Sequence, residues 1–117
     1  MAIRMKRIYE PFVKTDGYRV LVDRLWPRGI KKENAHVDVW MKDVAPSAEL
    51  RRWFNHEPEK WEEFMLKYHK ELKESAALKE LIALSKKHKS MTLVYGARDE
   101  EHNQAVVLMK IINSKPH

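Results

Sequence analysis

Residues 16–29 read Asp-Gly-Tyr-Arg-Val-Leu-Val-Asp-Arg-Leu-Trp-Pro-Arg-Gly, and they constrain the fold more than any other stretch. Val20, Leu21 and Val22 form a valine-rich run, apolar on both faces, which suits a central strand covered on both sides. The same stretch carries Arg19, Asp23, Arg24 and Arg28. A guanidinium is costly to desolvate unless it is paired. These arginines therefore either pair internally, with Asp23 for example, or await an anionic ligand. Asp16-Gly17 is a turn signal ahead of the strand, and Gly29 lets the chain turn after it.

A second β-type run, residues 2–8, alternates Ile3 and Met5 with Arg4 and Lys6. Residues 30–46 are less regular. Val37, Val39 and Met41 suit a short strand, although a helical turn is an alternative. Ser47 after Pro46 is suited to cap a short helix carrying Leu50, Trp53 and Phe54. Pro58 fits a helix N1 position, and Trp61, Phe64, Met65, Tyr68 and Leu72 follow at helical spacing. Ser75 is placed to cap a third helix that runs to about Lys89. Met91–Tyr95 is another short β run, and Asp99 is placed to cap a last, strongly apolar helix with Glu100 and Glu101 in its first turn. Strands alternating with helices predict a single α/β domain. The expected architecture is a small, largely parallel sheet flanked by about four helices, a Rossmann-like sandwich.

Composition narrows the chemistry. The chain has 117 residues and no cysteine, which rules out disulfides and thiolate-based sites. There is no apolar run of membrane-spanning length and no signal-peptide pattern at the start, so a cytoplasmic protein is expected. The formal net charge of +6 is concentrated early: residues 1–32 hold nine Lys/Arg and three Asp/Glu, and the remainder holds fourteen of each. A basic N-terminal quarter attracts phosphates, nucleic acid or acidic partners through its long-range field, or serves only solubility. With three glycines the chain cannot readily build a phosphate loop or dinucleotide fingerprint. His36, His56, His69, His88, His102 and His117 show no metal-ligand spacing. No cofactor or metal is implied.

Two polar strand exits carry the remaining chemistry, residues 23–29 and 95–103. Ligands of open α/β sheets sit beyond the carboxyl ends of the strands. If the two strands are parallel neighbours, Arg24, Arg28 and Arg98 converge on one rim as an anion site. His102 and Asn103 would then lie in the first turn of the last helix. His102 and Asp23 are the acid–base candidates, with Asn103 and Tyr95 orienting a ligand. Lys42 and the helix start at Ser47 would add to the pocket. The alternative pairs Arg24 with Asp23 or Asp99, leaves Arg98 in solvent and packs His102 against Trp26. The aromatic stripe Trp53, Phe54, Trp61, Phe64 and Tyr68 is read as core.

These residues resemble a known family. The stretch from Asp16 to Gly29 is similar to the hallmark of short members of the domain-of-unknown-function 488 family. Two further blocks agree: Trp40-x-Lys42-x-x-Ala45-Pro46-Ser47-x-x-Leu50-Arg51-x-Trp53-Phe54, and Thr92-Leu93-x-Tyr95-x-Ala97-x-Asp99-x-x-His102-Asn103-x-Ala105. Arg98 stands where the pattern expects Lys, and Gly96 where it expects Ala. The resemblance implies a small bacterial or archaeal α/β protein and brings no established activity. The expectation is thus a small protein that binds a phosphorylated or nucleotide-like anion, with or without turnover. The alternative is a nucleic-acid-binding or regulatory module using the basic N-terminal quarter.

Overall fold

The structure is a computed structural model that describes residues 2–114, so Lys115 and His117 lie outside it. Four parallel strands form one sheet: β1 (Ala2–Arg7), β2 (Tyr18–Leu21), β3 (Val39–Trp40) and β4 (Ser90–Tyr95). Their order is β1-β4-β2-β3. The expected α/β class is therefore what the chain adopts, and the sheet is parallel throughout. The valine-rich run is central, as its two apolar faces require. Val20, Leu21 and Val22 are fully buried. The strand ends at Leu21, although the Val22 N–H still bonds the Val94 carbonyl at 3.1 Å.

The helices are α1 (Lys32–Ala35), α2 (Ala48–Phe54), α3 (Trp61–Leu72), α4 (Ala76–Lys87) and α5 (Gln104–Ser114). They cover the sheet unequally. Val20, Val22, Met91, Leu93 and Tyr95 share a core with the apolar faces of α2, α3, α4 and α5. Leu21 and Val94 point the other way, into a smaller cluster with Ile8, Ala35, Trp26 and Trp40. The aromatic stripe is core, as expected: Phe54 stacks on Phe64 at 4.4 Å, and Trp61 on Phe64 at 5.5 Å.

Gly17 enters β2 with φ 68°, and a Cβ there would lie 2.4 Å from the Ser90 carbonyl oxygen. Any side chain would therefore push β2 away from β4. Ser47 and Ser75 cap α2 and α4 as expected, accepting from Leu50 N and Leu78 N at 3.1 Å each.

The last helix differs from the sequence expectation. Asp99 does not begin it, and Glu100, Glu101 and His102 lie in the bend before it. Asp99 instead closes a tight turn, accepting from Glu101 N at 2.9 Å and His102 N at 3.0 Å. Asn103 precedes α5 and accepts from Val106 N at 3.2 Å. Two side-chain acceptors compete for the free amides here, and the one nearer the apolar run begins the helix.

Candidate functional site

β2 and β4 are hydrogen-bonded parallel neighbours, so their two polar exits meet. A cavity of about 350 Å³ opens there. Tyr9, Trp26, Pro27, Pro46, Phe54 and Phe64 form much of its apolar wall. Its charged and imidazole groups are Asp23, Arg24, Arg28, Arg51, His56 and His102. Asn103 and Gln104 complete the polar side, from the start of α5.

The arginines divide into anchors and free cations. Arg24 pairs with neither Asp23 nor Asp99. Its guanidinium donates to the Pro46 carbonyl at 2.9 Å and the Ala45 carbonyl at 3.2 Å, tying the β2 exit to the entry of α2. Arg19 lies outside the cavity and is 1% exposed. It donates to Asp16 at 2.6 Å and to the carbonyls of His36 and Ala35. Arg28 and Arg51 are exposed, and among the described residues neither guanidinium has a hydrogen-bond partner. Arg98 is also exposed, but it is not part of the cavity wall, so the predicted three-arginine rim is reduced to Arg24 and Arg28, with Arg51 joining from α2.

Asp23 is the half-buried carboxylate of the cavity. Its Oδ2 accepts from Gly96 N at 2.9 Å, and its Oδ1 accepts from Gln104 Nε2 at 2.6 Å. Burial pushes its pKa up to about 6, against the pull of the Gly96 and Gln104 bonds and of the Arg51 charge. Gly96 makes this seat possible, because a Cβ there would lie 2.9 Å from Oδ2. An alanine, as the family pattern expects, would displace the carboxylate by a few tenths of an ångström.

His102 belongs to a second unit. Its Nδ1 lies 2.9 Å from Asp99 Oδ2, and its ring meets the edge of Trp61 rather than Trp26, at 5.2 Å. Bonds from Glu101 N and from His102 hold the Asp99 carboxyl below its ordinary value. An ionised Asp99 favours a proton on Nδ1 facing it. Arg28, His102, Asn103 and Asp23 are thus brought together, as the sequence predicts.

Tyr95, Ser47 and Lys42 are not part of the cavity wall. Tyr95 is buried in the core, where desolvation raises its pKa. Ser47 is occupied by its capping bond and by Glu71, at 2.6 Å. Lys42 lies over the Trp40 ring, 5.3 Å from its centroid. Two residues entered the site without a sequence signal of their own. Tyr9 reaches it by donating to the Arg28 carbonyl at 2.8 Å. Gln104 has only one distinguishing mark, that it is the single glutamine of the chain. His56, at the rim, follows Asn55 in a left-handed pair with φ 53° and 47°. Asn55 is the left-handed C-cap of α2, so the pair belongs to the end of that helix.

In the basic N-terminal quarter Arg4, Lys14, Arg28, Lys31 and Lys32 are exposed, and Arg19 is buried. Arg4, Lys6, Arg7, Arg19 and Arg24 all donate to carbonyls or carboxylates of the chain itself. No helix among the described residues is long and apolar enough to cross a membrane.

The fold and the cavity define a small parallel α/β protein with a ligand-sized opening beyond its two central strands. The profile of the family described as the inactive DUF488-N3 subclade, DUF488-N3i, matches residues 2–117, and the chain belongs to this family. It is 45% identical over 113 residues to the uncharacterised protein Rv3073c of Mycobacterium tuberculosis, covering 97% of this chain and 95% of that one. It is 41% identical over 114 residues to the uncharacterised protein YeaO of Escherichia coli, covering 97% and 99% respectively. No solved structure matches the chain.

Proposed function

We propose that the protein binds an anionic small molecule, phosphorylated or nucleotide-like, in the cavity beyond β2 and β4. The observation that carries this reading is the presence of two exposed, unpaired guanidiniums, Arg28 and Arg51, in one aromatic-walled cavity of about 350 Å³. That volume lies in the range of small-molecule sites, roughly 300–1,000 Å³. Guanidinium groups match phosphate and carboxylate in a bidentate geometry. Trp26 and Tyr9 offer aromatic surface for the uncharged part of a nucleotide-like ligand. His102 supplies a polar contact beside them, whereas Asn103 is buried with its amide bonded to the Asp99 carbonyl and to Val106 N. The family's description as inactive supports binding without turnover, and in that case His102 and Asp23 orient the ligand rather than transfer protons.

The test is the melting temperature against nucleoside monophosphates and sugar phosphates, at low and high salt. A ligand at ~100 times its Kd stabilises by about 2.7 kcal/mol, a rise of roughly 10 °C for a domain of this size. Arg28→Ala and Arg51→Ala should each lose most of that rise while keeping the ligand-free melting temperature. The absence of any rise in the wild type across the panel overturns the reading. So does unfolding of both variants, because the arginines would then be structural.

A further inference from the structure

We propose that Asp23 selects the ligand, making the cavity specific for a planar head that presents two adjacent N–H donors, with the anionic group at its other end. This chemistry is found in a guanine nucleotide and, in smaller form, in a free guanidinium acid such as arginine. The inference rests on the anion-binding reading above and adds what the other end of the ligand must be.

An ionised carboxylate offers about four lone-pair sites, two on each oxygen. The fold fills one on each: Gly96 N at Oδ2 and Gln104 Nε2 at Oδ1. By count one site on each oxygen remains, and the two oxygens of one planar carboxylate can take two adjacent donors. No cation among the described residues takes them. Arg24, the next residue, is committed to the Ala45 and Pro46 carbonyls, and Arg51 acts on Asp23 through its charge without a hydrogen bond.

The spare acceptors belong to a group that lines the cavity. They follow three fully buried residues, Val20, Leu21 and Val22, so the carboxylate sits two residues past the end of the central strand β2. Gly96 and Gln104 hold it from two different elements, the β4 exit and the first turn of α5. A rigid, partly desolvated acceptor pair is the arrangement that discriminates strongly. A ligand lacking one donor leaves one of the two spare acceptor sites unfilled. The apolar wall beside it, including Trp26 and Pro27, suits the face of a planar head.

The probes are guanosine monophosphate, inosine monophosphate, xanthosine monophosphate and arginine, titrated against the wild type and Asp23→Asn. Inosine lacks only the second donor of guanine, and xanthosine replaces it with an acceptor. The wild type should bind guanosine monophosphate at least about tenfold more tightly than inosine monophosphate. In Asp23→Asn one acceptor becomes a donor, and the Gln104 amide can turn to accept from it, which keeps the Gly96 and Gln104 contacts and gives up the long 3.4 Å bond from Gln104 to the Val22 carbonyl. That variant should lose the preference for guanine and gain affinity for xanthosine monophosphate. Binding of arginine but not of guanosine monophosphate also supports the proposal and assigns the head to a free guanidinium. Equal affinity for guanosine and inosine monophosphates, with arginine silent, overturns the proposal and leaves the anion-binding reading standing. Silence of every probe and of the wider phosphate panel overturns both. The wild-type comparison decides the matter even if Asp23→Asn fails to fold.

Discussion

At the scale of single residues, two aspartates near the central strand are treated in opposite ways. Asp16 is 4% exposed, and its burial would raise its pKa. Bonds from Lys6, from Val13 N and from Arg19 outweigh that, and hold the carboxyl below its ordinary value. Asp23 receives two neutral donors instead, and burial wins, taking it to about 6. Between about pH 4 and pH 6 the folded protein therefore keeps a proton that the unfolded chain has released. Stability contributed at this site falls as pH rises through that window, by about 2–3 kcal/mol in all. Asp23→Asn removes the titration. Denaturant unfolding of both proteins at about pH 4 and pH 7 should show the variant gaining roughly 2 kcal/mol relative to wild type at the higher pH. A constant difference would mean that Asp23 titrates at its ordinary value. The contributions of Asp16 and Asp99, which run the other way, are common to both proteins and cancel in the comparison.

At the scale of elements, the local signals that held are those in which one side chain settles a helix end. Ser47 was legible as a cap because it follows Pro46 and precedes an apolar stripe. The structure adds what no local pattern contains: Glu71 of α3 accepts from both the Ser47 hydroxyl, at 2.6 Å, and its N–H, at 2.9 Å. The cap thus also joins α2 to α3. Ser47→Ala should cost about 1 kcal/mol in urea unfolding and leave any ligand-induced stabilisation unchanged, because Ser47 is not part of the cavity wall. A lost ligand response would instead place the cap within the binding unit. The start of α5 shows the limit of such signals. Asp99 and Asn103 are both good caps, and only the packing of Ala105 and Leu108 into the core selects the later one.

At the scale of the whole molecule, β4 lies between β1 and β2, and its residues from Met91 to Tyr95 are nearly all inaccessible. Amide hydrogen exchange should be slowest in β2 and β4 and faster by orders of magnitude at residues 98–102, where the bend is exposed. Exchange that is slowest in α3 or α4 would show that the sheet is not the stable unit. This central pair also explains what could and could not be read from the chain alone. Alternation, valine content, Gly17 and the serine caps depend on neighbours a few residues apart, so strands, helices and the α/β class were legible. Asp23 was legible as a carboxylate in need of partners, since it ends a buried run. Its partners, Gly96 and Gln104, lie more than seventy residues away. Arg98 has the same chemistry as Arg28 and sits at an equivalent strand exit, yet it turns to solvent. Most of the elements, the family pattern and the concentration of charge around the strand exits follow from the sequence, because those depend on short-range sterics and burial. Tertiary structure alone decided which charges were consumed inside the fold and which were left facing a cavity. Partnering of that kind depends on strand order, which is set by the packing of the whole core rather than by any local run of residues.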